Sequence, residues 1–328
     1  MVKSDRARFA GDVSKTDDQT GRVRIAYVMG YGRSGSTLLD VILGSHPEIT
    51  SVGEVSYLSE WMAENKHCGC RSPIRECEFW SSVVREYHRQ SAGAALPGAV
   101  DWSVESRRSL LRLLNGRLSE RTVAEYRRAQ TALFAAVSRV SGTRIIVDSS
   151  KSVHRTDGRS LALQRFTDFE VRVLHLVRDG RAVTWSALRG PGTRDIAVRS
   201  LPPFLRGFWT ITDWTVTNLI CLVLTRRLRP GSVMRVRYED LMRDSQHELL
   251  KIGDFVGVDL TEVSEMISAG QPLSPGHNVG GNRLRYASAI RVKEDHEWRE
   301  RLSWVYRGLF WLIGWPVARR LGYSIKHS

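Results

Sequence analysis

The sequence predicts an α/β fold, a three-layer α/β/α domain around a central parallel sheet with helical insertions, and three observations carry that reading. First, residues 23–29 are a short apolar run, β-branched in part, suited to a strand covered on both faces. A glycine-punctuated loop (Gly30, Gly32, Gly35) follows, and Leu38, Leu39, Ile42 and Leu43 then recur at helical spacing. Second, further short apolar runs at 49–52, 144–147, 171–177 and 234–236 are separated by stretches of helical pattern, as in a parallel sheet. Third, 42% hydrophobic residues in a chain of 328 support a substantial core.

The strand, loop and helix at 23–44 organise the rest. The glycines let the backbone turn sharply and approach a ligand closely. The first N–H groups of the helix lack intrahelical partners and its dipole is positive there, which makes an anion site. Arg33 adds a fixed charge, and Ser34, Ser36 and Thr37 add hydroxyl donors. The loop therefore reads as holding a phosphate-like group. It is P-loop-like: Gly30 to Thr37 fits G-x-x-x-x-G-K-[ST] except that Ser36 stands in the lysine place, which argues against an ordinary ATPase or kinase. Gly30, Gly32 and Gly35 also meet G-x-G-x-x-G, with Glu54 as the ribose-binding acid, but a lone match of this kind is weak. A bare glycine turn is the structural alternative.

Composition bounds the partners. Lys plus Arg number 49 and Asp plus Glu 35, a net charge of +14. Such a surface suits an anionic cofactor, an acidic acceptor, a polyanion or an anionic membrane. Four cysteines are too few for a disulfide scaffold, so the expected compartment is cytoplasmic. Residues 1–21 are polar and read as a disordered tail, leaving 22–328 as one domain. No apolar run reads as long enough to span a bilayer. Residues 308–317 are the most apolar tail segment and read as a core helix, with peripheral membrane contact left open.

In chain order, His46-Pro47 ends the first helix, since proline disfavours helical geometry at the residue before it. The next strand delivers Gly53-Glu54 to a helical stretch at 55–64. Cys68, Cys70 and Cys77 suggest a metal, but no fourth ligand sits at a usual spacing, so no metal is expected and the loop reads as packed or redox-sensitive. Residues 78–140 form a helical insertion, with helices at 103–118 and 122–140 and a capping box at Thr122 to Glu125. Asp148 to Lys151 lies at a strand's C-terminal end, where open α/β sheets place ligands. The strand at 171–177 ends in Arg178, and Ser186 lies on the helix after it; the two can grip one phosphate from two sides. A surface ion pair of Arg178 with Asp179 or a neighbour is the bland alternative. Residues 201–227 read as a helix whose Trp209 and Trp214 belong to the core. Tyr238, Glu239 and Asp240 end the last strand, and the glycine-rich loop at 270–282 leads to Arg283 and Arg285, which can close over an anion.

These motifs together resemble the sulfotransferases that use 3′-phosphoadenosine-5′-phosphosulfate (PAPS). The matching pieces are the 33–39 loop, Lys151, Arg178 with Ser186, Tyr238-Glu239-Asp240 and the loop at 280–285. The resemblance implies that Arg33, Ser34, Gly35, Ser36, Thr37 and Leu38 hold the 5′-phosphosulfate. It further implies that Arg178 and Ser186 hold the 3′-phosphate, that Tyr238 lies beside the nucleotide and that Arg283 closes over it. The loop followed by His46-Pro47 and Gly53-Glu54 is most similar to the tyrosylprotein and carbohydrate branch, whose match makes Glu54 the base. The chain departs from the cytosolic aryl enzymes, lacking their lysine-containing loop and late Arg-Lys-Gly. It also lacks the signal anchor and paired lumenal cysteines of animal Golgi enzymes, which implies a bacterial-type enzyme.

Sulfuryl transfer needs a base for the acceptor hydroxyl and cationic donors for the sulfuryl and bridging oxygens. Glu54 is the expected base, with Arg33 and Lys151 as the cations; His46 and His154 are the rival bases. The acceptor is a hydroxyl on a small molecule, glycan, lipid or peptide, and no nucleic acid is expected. The alternatives are a magnesium-dependent P-loop phosphotransferase and a non-enzymatic polyanion-binding module, whose binding would be salt-sensitive.

Overall fold

The computed structural model describes residues 22–151, 154–189, 200–273, 275–281, 286 and 296–325. The expected tail at 1–21 and the arginines Arg283 and Arg285 lie outside them. Five parallel strands form the sheet: β1 (Arg24–Met29), β2 (Ile49–Gly53), β3 (Ile145–Asp148), β4 (Glu170–Val177) and β5 (Val233–Arg237), in the order β2-β3-β1-β4-β5. The strand before the glycine loop is thus central, paired with β3 on one side (Tyr27 opposite Asp148) and β4 on the other (Met29 opposite His175). From β1 the chain winds first toward β2 and later toward β5. This reversal opens a crevice at the C-terminal ends of the strands, where such sheets bind ligands.

Alternation along β1 builds the three layers. Ile25, Tyr27 and Met29 face one core, Ala26 and Val28 the other. The first core is covered by α2 (Leu58–Ala63), α3 (Glu78–Gln90), α4 (Ala99–Glu105), α5 (Leu110–Leu114), α6 (Glu120–Ser141) and α7 (Arg159–Phe166). The second is covered by α1 (Ser36–Gly44) and, beyond β5, α10 (Tyr238–Arg243), α11 (Ser245–Val256) and α12 (Thr261–Ser268). Three more helices, α8 (Gly180–Arg189), α9 (Pro203–Thr225) and α14 (Trp304–Arg320), pack around Trp214 and Phe310, and α13 (Glu297–Arg301) lies against α8.

Several local expectations are corrected. The cap of α6 is Ser119, whose Oγ accepts from the Thr122 N–H at 3.2 Å, so the helix begins at Glu120 and Glu125 instead pairs with Arg121. The stretch after Glu54 opens as a 3₁₀ turn, Val55–Tyr57, before α2. The helix expected at 103–118 breaks at Ser106, whose backbone is extended. By length and composition α9 is long and apolar enough to cross a membrane, contrary to the sequence reading, yet half of that apolar window is buried against the protein. Its outer face shows Leu205, Phe208, Val216 and Leu219 to solvent. Trp214 is buried as expected, whereas Trp209 is exposed and stacks near His154. The segment 308–317 does belong to a helix with core residues Phe310, Gly314 and Val317, but Leu312 and Trp315 face outward.

One carboxylate sits inside the second core with no ion pair among the described residues. Asp40 on α1 is buried, and its Oδ2 accepts from Asn278 Nδ2 at 2.5 Å; burial pushes this carboxyl up to about 7. A raised folded-state pKa means that the folded chain retains a proton that the unfolded chain has released above about pH 4. Asp40 therefore costs stability progressively as pH rises from about 4 to 7. Asp40→Asn is expected to flatten that dependence and to raise stability at pH 8, by a few kcal/mol at most on the order of the shift. Urea unfolding at pH 5 and pH 8 measures it; an unchanged pH difference in the variant would assign the dependence elsewhere.

Candidate active site

All five strands deliver a loop to the same edge. After β1 the chain passes through Gly30, whose φ of 145° and contact with the Leu176 carbonyl leave no room for a Cβ. Arg33 and Gly35 then take left-handed backbone, and α1 starts at Ser36. A Cβ on Gly35 would lie 2.5 Å from the Tyr238 ring, so only glycine lets the end of β5 close on the loop. Ser34 is buried and its Oγ has no hydrogen-bond partner among the described residues. Ser36 and Thr37 are buried at the helix N-terminus, where the N–H groups are open to an anion.

Arg33 does not curl back onto that helix. Its Nη1 donates to the Ser186 carbonyl at 2.9 Å and to Ser186 Oγ at 3.1 Å. Arg178 Nη1 donates to the Arg33 carbonyl at 3.1 Å, and its guanidinium lies 4.3 Å from the Tyr238 ring centroid. Arg33, Arg178, Ser186 and Tyr238 are therefore one group. Asp179, the neighbour in sequence, pairs with Arg181 at 2.7 Å. Beside Arg178 opens a cavity of about 640 Å³, lined also by Tyr238, Arg237, Arg243 and Tyr323.

Glu54 follows β2 and is buried. Its backbone precedes the 3₁₀ turn, but its side chain makes no capping bond. Instead Oε1 forms an ion pair with Lys151 Nζ and accepts from the Gly281 N–H at 3.0 Å. Lys151 follows β3 with a left-handed φ of 65°, and its carbonyl accepts from Tyr27 OH. Gly281 also links this pair to the loop, since a Cβ there would lie 3.1 Å from Thr37 Oγ1. Glu54, Lys151 and Thr37 thus meet around one glycine.

The rival bases are placed differently. His46 lies at the opposite edge of the sheet, just before β2, and its Nδ1 accepts from the Glu48 N–H at 3.2 Å. His154 Nε2 pairs with Asp213 Oδ2 at 3.2 Å, and that bond pushes the imidazole up. Asp213 in turn receives Arg107 at 2.9 Å and the Tyr31 hydroxyl.

Sequence reasoning missed Gly281, Tyr27 and Asn278. Asn278 joins Ser51 Oγ at 2.8 Å to Asp40. The glycine richness of residues 270–282 pointed toward Gly281 and Asn278, and no sequence signal marked Tyr27. It also missed a partner for the cysteines. No fourth ligand sits at a usual spacing, but the fold brings His277, 200 residues after Cys77, beside the three cysteines, a group that could hold a metal ion.

The family model described as the sulfotransferase family matches residues 26–262, most of the chain. The sulfotransferase domain from the Synechococcus PCC 7002 olefin synthase is similar in structure, with 22% identity, a TM-score of 0.53, and 94% of this chain and 98% of that one covered. The sulfotransferase domain from the curacin biosynthetic pathway is similar too, at 16% identity and a TM-score of 0.53, covering 92% and 98%. No curated protein matches the chain. The glycine loop, the crevice behind it and the matched span lead to one conclusion: the chain belongs to the sulfotransferase family and is an enzyme of sulfuryl transfer.

Proposed function

We propose that the donor is PAPS, that the acceptor is a hydroxyl, and that Glu54 is the base. One observation carries this: an anion-directed loop and a buried carboxylate–ammonium pair converge on Gly281 at one sheet edge. The N-terminus of α1 with Ser34, Ser36 and Thr37 suits the 5′-phosphosulfate. Arg178 and Ser186, with Arg33 beside them, suit the 3′-phosphate, since a guanidinium fork and a hydroxyl together match a phosphate. The buried Ser34 Oγ, without a hydrogen-bond partner among the described residues, suits a ligand there.

In the transfer, the acceptor oxygen forms its bond to sulfur as the bond from sulfur to the 5′-phosphate oxygen breaks. Glu54 receives the acceptor proton, and 3′-phosphoadenosine-5′-phosphate leaves. Lys151, held on Glu54, is placed to neutralise charge on the sulfuryl and bridging oxygens.

The test separates the two phosphate subsites. 3′-Phosphoadenosine-5′-phosphate is expected to raise the melting temperature, because a ligand of the folded state stabilises it by mass action. Arg178→Ala is expected to weaken that ligand by about 10- to 100-fold, the worth of a charge-assisted contact. Adenosine 5′-phosphosulfate, which lacks the 3′-phosphate, should keep its affinity. Equal weakening of both ligands would remove Arg178 from the 3′ side.

A further inference from the structure

We propose that Cys68, Cys70, Cys77 and His277 bind one zinc ion, and that this site clamps the late loop beside the catalytic pair. The four donor atoms all lie within 4.8 Å of one another. Cys77 Sγ is 3.7 Å from both Cys68 Sγ and Cys70 Sγ. His277 Nδ1 is 3.3 Å from Cys77 Sγ and 3.9 Å from Cys68 Sγ. A tetrahedron with Zn–S of about 2.3 Å and Zn–N of about 2.0 Å has edges of about 3.8 Å between sulfurs and about 3.5 Å between sulfur and nitrogen. The measured edges cluster around those lengths. They are far from the roughly 2.05 Å of a disulfide, and all three thiols are unpaired.

Backbone N–H groups and a helix N-terminus face the sulfurs. The backbone N–H of Cys70 donates to the Cys68 sulfur, that of Ser72 to Cys70 and that of Trp80 to Cys77. Cys77 caps the N-terminus of α3, where the helix dipole favours a negative sulfur. The His277 ring is held in plane by Phe79, stacked at 4.8 Å and 11°, and its carbonyl accepts from Trp80 Nε1 at 2.6 Å. Cys68 and Cys77 are buried. Soft thiolates with one imidazole select zinc over the hard cations, and a full set of four protein ligands marks a structural site.

The clamp has a mechanical consequence. Gly69, between the first two cysteines, donates its N–H to the Asn278 carbonyl at 3.0 Å, and a Cβ there would meet the Asn278 nitrogen at 2.9 Å. From His277 the chain runs through Val279, which bridges to Gly53, and reaches the Gly281 N–H on Glu54. A metal on His277 would thus fix the segment that holds the carboxylate. The metal assignment stands independently of the identity of the sulfuryl donor.

Elemental analysis of the full chain, purified without added metal or chelator, is expected to find one zinc per chain, and X-ray absorption to find three sulfurs and one nitrogen around it. Zinc is expected to fall to background in Cys77→Ser and His277→Ala and to return in His277→Cys, which restores a fourth soft ligand. Chelation of the parent protein should lower its melting temperature. If the variants do not fold, the parent's stoichiometry and coordination decide alone. A zinc-free parent from zinc-supplemented growth, a disulfide among the three cysteines by mass, iron in place of zinc, or oxygen ligands around the metal would each overturn the proposal.

Discussion

Glu54→Gln is expected to lower turnover by about 10²- to 10⁴-fold, the usual worth of a positioned general base, while PAPS binding and folding persist. Glutamine is close in size and can still accept the Gly281 N–H, so the late loop should stay in place. What it cannot do is take the acceptor's proton. The substitution also leaves Lys151 without its counter-charge, and the buried position of the pair makes that loss felt. The two effects separate by pH. A missing base removes the acidic limb of the kcat profile, whereas a misplaced lysine lowers activity evenly across pH. If Glu54→Gln turns over like the parent on a true acceptor, the base lies elsewhere and His154, with its Asp213 partner, is the next residue to change.

Arg159→Ala is expected to cost about 3–5 kcal/mol of stability, the penalty for leaving buried carboxylates without their cation. Arg159 on α7 has no solvent exposure. Its Nε donates to Asp148 Oδ2 at 2.7 Å, its Nη1 to Glu105 Oε1 at 2.5 Å and its Nη2 to Gln130 Oε1 at 3.1 Å. One side chain thus joins the end of β3, α4 and α6, tying the helical insertion to the sheet. Asp148 also holds the Ser150 N–H at 2.9 Å, next to Lys151. Activity should therefore fall along with stability. Arg159→Lys keeps the charge but not the planar fork, so it should sit between parent and alanine in urea unfolding. A loss below about 1 kcal/mol for Arg159→Ala would mean that the carboxylates find other partners or take up protons.

Local signals carried the reading where structure is local. The run 23–29, the three glycines and the leucines after Ser36 each act within a few residues of themselves, so β1, its loop and α1 were legible in the sequence. The strand ends that present Glu54, Lys151, Arg178 and Tyr238 were legible for the same reason, because a parallel sheet gathers its C-terminal ends. What escaped was set by distance along the chain. Nothing near Cys77 announces His277, and nothing near Glu54 announces Gly281. The direction of a long side chain was equally hidden. Arg33 reads as a 5′-side cation from its place in the loop, and no sequence signal marked its bond to Ser186. The cap of α6 was missed for a smaller reason: Ser119 and Thr122 both have capping side chains, and only the fold chooses between them.

The central place of β1 bears on how the chain comes off the ribosome. Its partner across the β1–β3 ladder begins at Ile145, opposite Arg24, a gap of 145 − 24 = 121 residues. At about 5–20 residues per second, roughly 6–24 s pass between synthesis of the two. Throughout that interval Ile25 to Met29 have no strand to pair with. The helices between them form from nearer contacts and so can assemble first, leaving an apolar strand waiting for its neighbours. A nascent chain of this topology is one that chaperones would hold, and its refolding from denaturant should be slow for its size, because the pairings that complete the sheet are the most distant in sequence.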